Sequence, residues 1–298
     1  MQVNEIYDVV LIGNYTKDTI VSPAGTRQVD GGGFNYGAHV AAMMGLKTAA
    51  VTRLAREDRR VVENLQRLGV AVFPTYTPES TCLRLYYPTT DPDERVITVT
   101  ASAGSFTPEQ VRALQARAFI LNASFRGEAG LDVIGELRRK AARLAVDIQG
   151  FLRVVSEDGT LRATDWEERE AVLGQVDVLK ADVVEAGLLT GEPDLERAAR
   201  KIAAWGPKEV VVTHRDGVLV LAEGRSYREA FRPRQMVGRS GRGDTCLAAY
   251  VCRRLSAPAE EATRWAAAVT SLKMEAEGPL RRRREEVEQF LAACCSRE

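Results

Sequence analysis

The sequence predicts an α/β fold, a parallel sheet with helices on both faces in three layers. Three observations carry this. From residue 107 onward, short apolar runs rich in β-formers alternate with helical patterns, as expected for a parallel sheet buried on both sides. Around Thr81 to Thr100 that alternation gives way to runs that are β-like only. Two glycine clusters, one near each end of the chain, each lead into a stretch of helix formers.

Composition bounds the possibilities. A chain of 298 residues with 45% apolar content is long enough for one large α/β domain or two small ones, with a full core. The 41 basic and 41 acidic residues cancel, so no nucleic-acid partner is implied. Arg281 to Arg284 precede Glu285, Glu286 and Glu288, and at helical spacing these pair as a solvated face. Five cysteines without CxxC spacing, and an N-terminus without a targeting pattern, suit a reducing cytoplasm. No apolar run reaches membrane-spanning length, so no membrane partner is expected.

In chain order, Ile6 to Ile12 is a run of β-formers ending at Gly13 and reads as a buried parallel strand. Thr19 to Val21 and Arg27 to Val29 flank Pro23 and Gly25 as a small hairpin. Gly31, Gly32 and Gly33 make a turn before a helix over Ala38 to Met44. Thr48 to Leu54 is a strand, and Asp58 to Leu68 a helix closed by Gly69. After Ala71 to Tyr76, the β-rich runs TCLRLYY and ERVITVT form a hairpin around residues 88–93. Thr107-Pro108-Glu109-Gln110 is a capping box with proline at the first helical position. Beyond it, strands are predicted at Phe119 to Asn122, Leu144 to Ile148, Val178 to Ala181 and Val210 to Thr213. Helices are predicted near Gly130 to Arg143, Trp166 to Leu173, Val183 to Leu189 and Leu195 to Trp205. Two last helices, Ala259 to Glu275 and Arg284 to Ala293, close the chain.

The stretch from Val237 to Val251 carries the chemistry. Gly238, Gly241 and Gly243 fall within six residues and run into a helix. Such a turn leaves the first helical amides without partners, at the positive end of the dipole, which makes an anion site. Asp244 sits there, either as a simple cap or as a base beside a bound phosphate.

The pairing of this motif with the earlier glycine cluster resembles the ribokinase-like (PfkB) carbohydrate kinases. Gly241, Arg242, Gly243 and Asp244 match that family's GAGD motif, with Arg242 in place of alanine. Gly31 to Gly33 match its first signature. The resemblance implies a single kinase domain over residues 1–298 with a β-lid from about 14–30 and 72–104. It implies transfer of the γ-phosphate of a nucleotide, expected to be ATP, to a hydroxyl of a small sugar or cyclitol. Asp244 is then the general base, with Gly241, Arg242 and Gly243 at the phosphate. Asp18, Gly32, Gly33, Asn35 and Tyr36 are the acceptor-binding candidates. GNYxxD, from Gly13 to Asp18, is similar to the myo-inositol kinases of the family. Thr213, Gly217 and Asp182 are assigned to the nucleotide, and Ala267 and Ser271 are candidates for the adenine wall. Asp182 and Glu185, at i and i+3 where the family has Asn-x-x-Glu, are assigned to Mg²⁺, which takes oxygen ligands and keeps several waters. Asp147 and Arg153 loosely match a further D-x-N-x-R element.

Other readings stay open. The plain alternative for Asp18 is a turn residue, and for Asp182 and Glu185 an acidic helix start favoured by the dipole. A nucleoside kinase of the same family is the runner-up. A polyol-binding regulator on the same fold has no need of Asp244. A Rossmann dehydrogenase is disfavoured because no GxGxxG follows the first strand. Both a monomer and a homodimer are compatible with the sequence.

Overall fold

The computed structural model describes residues 5–89 and 94–295. The first half contains β1 (Ile6–Ile12), β2 (Thr16–Ser22), β3 (Gly25–Gly31), α1 (Gly33–Met43), β4 (Thr48–Ala55) and α2 (Arg60–Arg67). It continues with β5 (Ala71–Thr77), β6 (Thr81–Tyr86), β7 (Val96–Ala101), α3 (Pro108–Arg112), β8 (Gln115–Leu121) and α4 (Leu131–Arg138). Then follow β9 (Arg143–Asp147), α5 (Gln149–Leu152), β10 (Arg153–Val155), β11 (Leu161–Ala163), α6 (Arg169–Leu173) and β12 (Val178–Asp182). The last elements are α7 (Val183–Thr190), α8 (Leu195–Ala203), β13 (Glu209–His214), β14 (Gly217–Ala222), β15 (Arg225–Ala230), α9 (Arg242–Arg254), α10 (Ala259–Met274) and α11 (Arg284–Cys295).

Among the described residues the main sheet runs β15-β14-β13-β12-β9-β8-β1-β4-β5. From β13 to β5 every neighbouring pair is parallel. The alternation of side chains along each strand sorts the core into two layers. Val9, Leu11, Ala118 and Ile120 face α1, α9 and α10, while Val10, Ile12, Phe119 and Leu121 face the layer of α4, α6 and α8. The three-layer ribokinase-like architecture is therefore present, with one correction to an all-parallel sheet. β13, β14 and β15 pair antiparallel at one edge, because the two residues between β13 and β14 leave room for a hairpin and not for a crossover.

A second sheet, ordered β3-β2-β6-β7, is built from the two segments assigned to the lid. The segment beginning at 72 needs correction at its start: residues 72–77 belong to β5, which pairs parallel with β4 at the edge of the main sheet. The loop expected at 88–93 lies partly outside the described residues, but β6 and β7 are antiparallel neighbours. The α3 capping box forms as the sequence predicts. Among the described residues no helix is long and apolar enough to cross a membrane.

The strand order reverses direction at β1. From it the chain moves outward through β4 and β5 on one side, and through β8, β9, β12 and β13 on the other. In open α/β sheets, ligands bind beyond the carboxyl ends of the strands at such a switch point. Gly13, Asn14 and Asn122 stand there, with the Asn122 amide bonded to Ile12 O at 2.8 Å. The second sheet grows out of this point directly after β1.

Candidate active site

The helix α9 starts at the switch point. Gly241 is its N-cap, with φ of 79°, and no side chain among the described residues caps the helix. That left-handed conformation favours glycine. A Cβ at Gly241 would also lie 2.3 Å from the Tyr36 ring, so α1 and the start of α9 pack backbone against aromatic face. At Gly33 a Cβ would come 2.7 Å from Asp244 Oδ1, and at Gly243 one would come 2.7 Å from Lys180 Nζ. The glycines thus do more than turn the chain: they let a carboxylate and an ammonium approach the same stretch of backbone.

Asp244 Oδ1 accepts a hydrogen bond from Asn122 Nδ2 at 3.0 Å. It lies between two small cavities. One, of about 80 Å³, reaches Asp18, Gly32, Gly33, Tyr36 and the side chains of Leu83 and Ile97 on the second sheet. The other, of about 60 Å³, is lined by Arg95, Arg153, Lys180, Arg239 and Arg242 together with Asp182 and Thr213. Gly241, Asp244, Arg95 and Arg153 border both. One cavity therefore offers a carboxylate acceptor and apolar walls, the other a field of cations, and Asp244 stands at their junction.

Asp18 is buried, and its Oδ1 has no hydrogen-bond partner among the described residues. Burial raises its pKa to about 7, Thr16 lowers it through a hydrogen bond, and the charge of Asp244 adds to the rise. A buried acceptor in that state gains from a ligand hydroxyl. Lys180 is buried in β12 and paired with Asp147 at 3.1 Å and with Glu185 at 3.7 Å. Burial disfavours its ammonium, yet Asp147 and Glu185 raise its pKa.

Asp182 caps α7 by accepting from the amides of Val184 and Glu185, and the Glu185 carboxylate in turn accepts from the Asp182 amide at 2.8 Å. The two carboxylates differ in what remains for a metal. Asp182 lines the cationic cavity, so it fits a water-mediated contact to Mg²⁺ on phosphates. Glu185 is 3% exposed and is occupied by Arg153, at 2.8 Å, and Lys180, so its place is to hold those cations. Among the described residues no group of three or more His, Cys, Asp or Glu is set to hold a metal by itself; Mg²⁺ needs only one or two carboxylates beside its phosphates.

Three further assignments shift. Asn35 turns away, donating from Nδ2 to Asp30 O at 3.2 Å, while Tyr36 faces the cavity that reaches Asp18. The helical turn of α1 carries neighbouring side chains about 100° apart, so only one of the two reaches the site. Gly217 pairs with His214 and Ala230 in the edge strands. A Cβ there would meet Glu229 O at 2.3 Å, so strand packing accounts for it. Ser271 is fully buried, with its hydroxyl bonded to Ala267 O and to the Arg232 amide. A larger cleft of about 580 Å³ opens beside the cationic cavity, sharing Arg239 and Arg242 and lined otherwise by groups such as Ile20, Phe231 and Met274.

The model of the pfkB family carbohydrate kinases matches residues 4–282. The chain belongs to this family. It is a small-molecule kinase of the ribokinase-like group, acting on carbohydrate or nucleoside acceptors. Among solved structures, a pyrophosphate-dependent kinase of the ribokinase family in complex with sulfate is 37% identical, with a TM-score of 0.87 over 94% of this chain and 99% of the other. A pyrophosphate-dependent myo-inositol-1 kinase, converted by mutation into a myo-inositol-3 kinase, is 34% identical, with a TM-score of 0.86 over 96% of this chain and 99% of the other. The cytidine kinase of Thermococcus kodakarensis is 27% identical over 256 residues, 82% of this chain and 87% of its own.

For this kinase, several site residues escaped the motif reading. Lys180 is the clearest, since a lysine inside the apolar run VLKAD signals a buried pair. Asn122 ends a predicted strand, Arg95 falls at the start of the β-rich run ERVITVT, and Arg239 lies in the loop before α9, where sequence shows no direction. Arg153, a loose motif match, does border both cavities, and Asp147 supports Lys180.

Proposed function

We propose that this kinase transfers a phosphoryl group from inorganic pyrophosphate to a hydroxyl of a myo-inositol-like cyclitol, with Asp244 as general base. One observation carries the donor: Arg95, Arg153, Lys180, Arg239 and Arg242 surround the small cavity at the start of α9. Pyrophosphate has neither base nor ribose to contribute binding, so its affinity must come from direct charge, and guanidinium forks suit phosphate oxygens. The 34–37% identical relatives that use pyrophosphate support the same donor. On the acceptor side, the Asp18 Oδ1, without a hydrogen-bond partner among the described residues, beside Leu83 and Ile97 suits a ring with hydroxyl edges and C–H faces. The myo-inositol bound to a 36% identical relative supports that choice.

In this reading the acceptor hydroxyl lies between Asp18 and Asp244. Asn122 fixes one oxygen of Asp244 and leaves the other to take the hydroxyl proton as attack proceeds. The uncapped amides of α9 and Lys180 hold the transferred group, and the arginines hold the leaving phosphate. Catalysis is then mostly placement and charge neutralisation. Asp182 would hold Mg²⁺ through water, and the ion would neutralise phosphate charge.

A second reading keeps ATP as donor, favoured by the 580 Å³ cleft next to Arg239 and Arg242, and the cytidine kinase relative favours a nucleoside acceptor. Purified protein assayed by ³¹P NMR with pyrophosphate or ATP against myo-inositol, ribose and cytidine separates these. Phosphorylation of myo-inositol from pyrophosphate is expected. Turnover with ATP and none with pyrophosphate would overturn the donor, and preference for cytidine would overturn the acceptor.

A further inference from the structure

The last turn of α10 holds a buried lysine that the reaction as described does not use. Lys273 is 1% exposed. Its ammonium donates to Gly238 O at 2.8 Å and to Ser240 O, and it lies 5.3 Å from the centre of the Tyr36 ring. The same loop is stitched to the helix end by the amides of Val237 and Gly238, both bonded to Met274 O, at 2.9 and 3.0 Å. A Cβ at Gly238 would lie 2.2 Å from Ala276 O, so the loop sits backbone against backbone.

Two carbonyls aimed at one buried point create a negative field that needs a positive charge. In a planar trans peptide the C=O and the following N–H point in opposite directions. Holding the Ser240 carbonyl toward Lys273 therefore turns the Gly241 N–H away from the lysine, and Gly241 borders both cavities at Asp244. We propose that Lys273 is an internal cation that sets the Gly238 to Gly241 backbone, so that the amides opening α9 converge on the phosphoryl group. It is a positioning residue, and the proposal rests on the reading that the start of α9 holds phosphate.

The charged and titratable groups facing Lys273 are Glu277 beyond α10, Asp244 and Arg242 on α9, and Tyr36 on α1. Burial lowers the lysine pKa to about 8, against the pull of Glu277 and Asp244 and with the push of Arg242.

The test uses sulfate and pyrophosphate as probes, with binding followed by calorimetry and turnover by phosphorylated product. Lys273→Met keeps the length and loses the charge. It should bind both anions and turn over roughly tenfold to a hundredfold less well, the range for one charged hydrogen-bonding group, with the KM for the acceptor unchanged. In Lys273→Ala, ammonium chloride should restore part of the turnover and tetramethylammonium chloride at equal ionic strength should not. Wild-type anion affinity should fall as pH rises through about 8, the pKa to which burial lowers the lysine, and Lys273→Arg should keep its affinity above that pH. If the neutral variants do not fold, this wild-type against Lys273→Arg comparison decides. Wild-type protein that binds neither anion removes the phosphate reading and this proposal with it. Wild-type binding alongside an unaltered Lys273→Met, or an unaltered pH response in Lys273→Arg, removes this proposal alone.

Discussion

Asp244 and Asp18 are both carboxylates at one junction, and their surroundings give them different work. Asp244 has one oxygen held by Asn122 at 3.0 Å and faces both cavities. General-base assistance contributes about 10²–10⁴-fold, so Asp244→Asn should lower turnover by that order. Binding of donor and acceptor should persist, as the side chain acts in the transition state; steady-state kinetics with near-normal turnover would contradict the role. Asp18 is a buried acceptor. Asp18→Asn should weaken acceptor binding by about 1.5–3 kcal/mol, with donor affinity intact, as read by calorimetry. It has a second consequence. The folded protein holds a proton on Asp18 up to about pH 7, whereas the unfolded chain releases it near 3.8. Stability contributed by this group therefore falls as pH rises across that window. Asp18→Asn removes the penalty, so the variant should exceed the wild type above pH 7, by a few kcal/mol at most on the scale of about 1.4 kcal/mol per pH unit. Equal urea midpoints at pH 8 would sink this.

At the scale of the element, the start of α9 is a meeting of three helices and a strand. Gly241 abuts Tyr36 of α1, Gly243 abuts Lys180 of β12, and Lys273 of α10 reaches the preceding loop. The two glycines should respond differently to alanine. At Gly241 the new Cβ meets an aromatic ring at 2.3 Å and the backbone has φ of 79°. Left-handed strain alone costs roughly 1–2 kcal/mol, so Gly241→Ala should lower the melting temperature by several degrees. At Gly243 the nearest atom is the end of the lysine side chain, at 2.7 Å. Gly243→Ala should therefore melt above Gly241→Ala, the flexible lysine tip shifting within its pairs with Asp147 and Glu185, while losing most donor affinity, because the Lys180 ammonium leaves its place. Thermal melts that rank the two the other way would show that the contacts are misjudged.

Across the whole molecule, the second sheet must stay over the first for the acceptor cavity to exist. Part of that tie is electrostatic. Lys17 of β2 pairs with Asp58 at 2.9 Å, and Arg27 of β3 pairs with Glu277 at 2.6 Å. Another part is a buried hub, where Glu128 accepts from Asn14 at 2.7 Å, from the Ser124 amide at 2.6 Å and from the Thr81 hydroxyl of β6 at 3.5 Å. Arg27 and Glu277 both line the 580 Å³ cleft. An exposed pair of this kind is worth up to about 1 kcal/mol, so Arg27→Ala should raise the acceptor KM by up to about fivefold at low salt, with the difference fading as salt screens the pair. An acceptor KM that does not change at low ionic strength would show that this bridge does not hold the two sheets together.

What the sequence determined by itself was local. Periodicity marked the strands and helices, the capping box at Thr107 marked one helix start, and the glycines around Asp244 marked a turn that only such residues allow. Each of these follows from backbone sterics within a few residues, so it is legible without knowing the rest of the chain. The tertiary structure alone decided which charges meet. Arg95, Arg153, Lys180 and Arg239 come from separate parts of the chain and converge because the strand order reverses at β1. It also decided that Glu185 is spent on Arg153 and Lys180, that Asn35 turns to Asp30, and that Lys273 reaches the loop before α9. A buried charge is tolerable only when paired, and the partner of each is set by crossover connections that bring distant residues together, which no local pattern encodes.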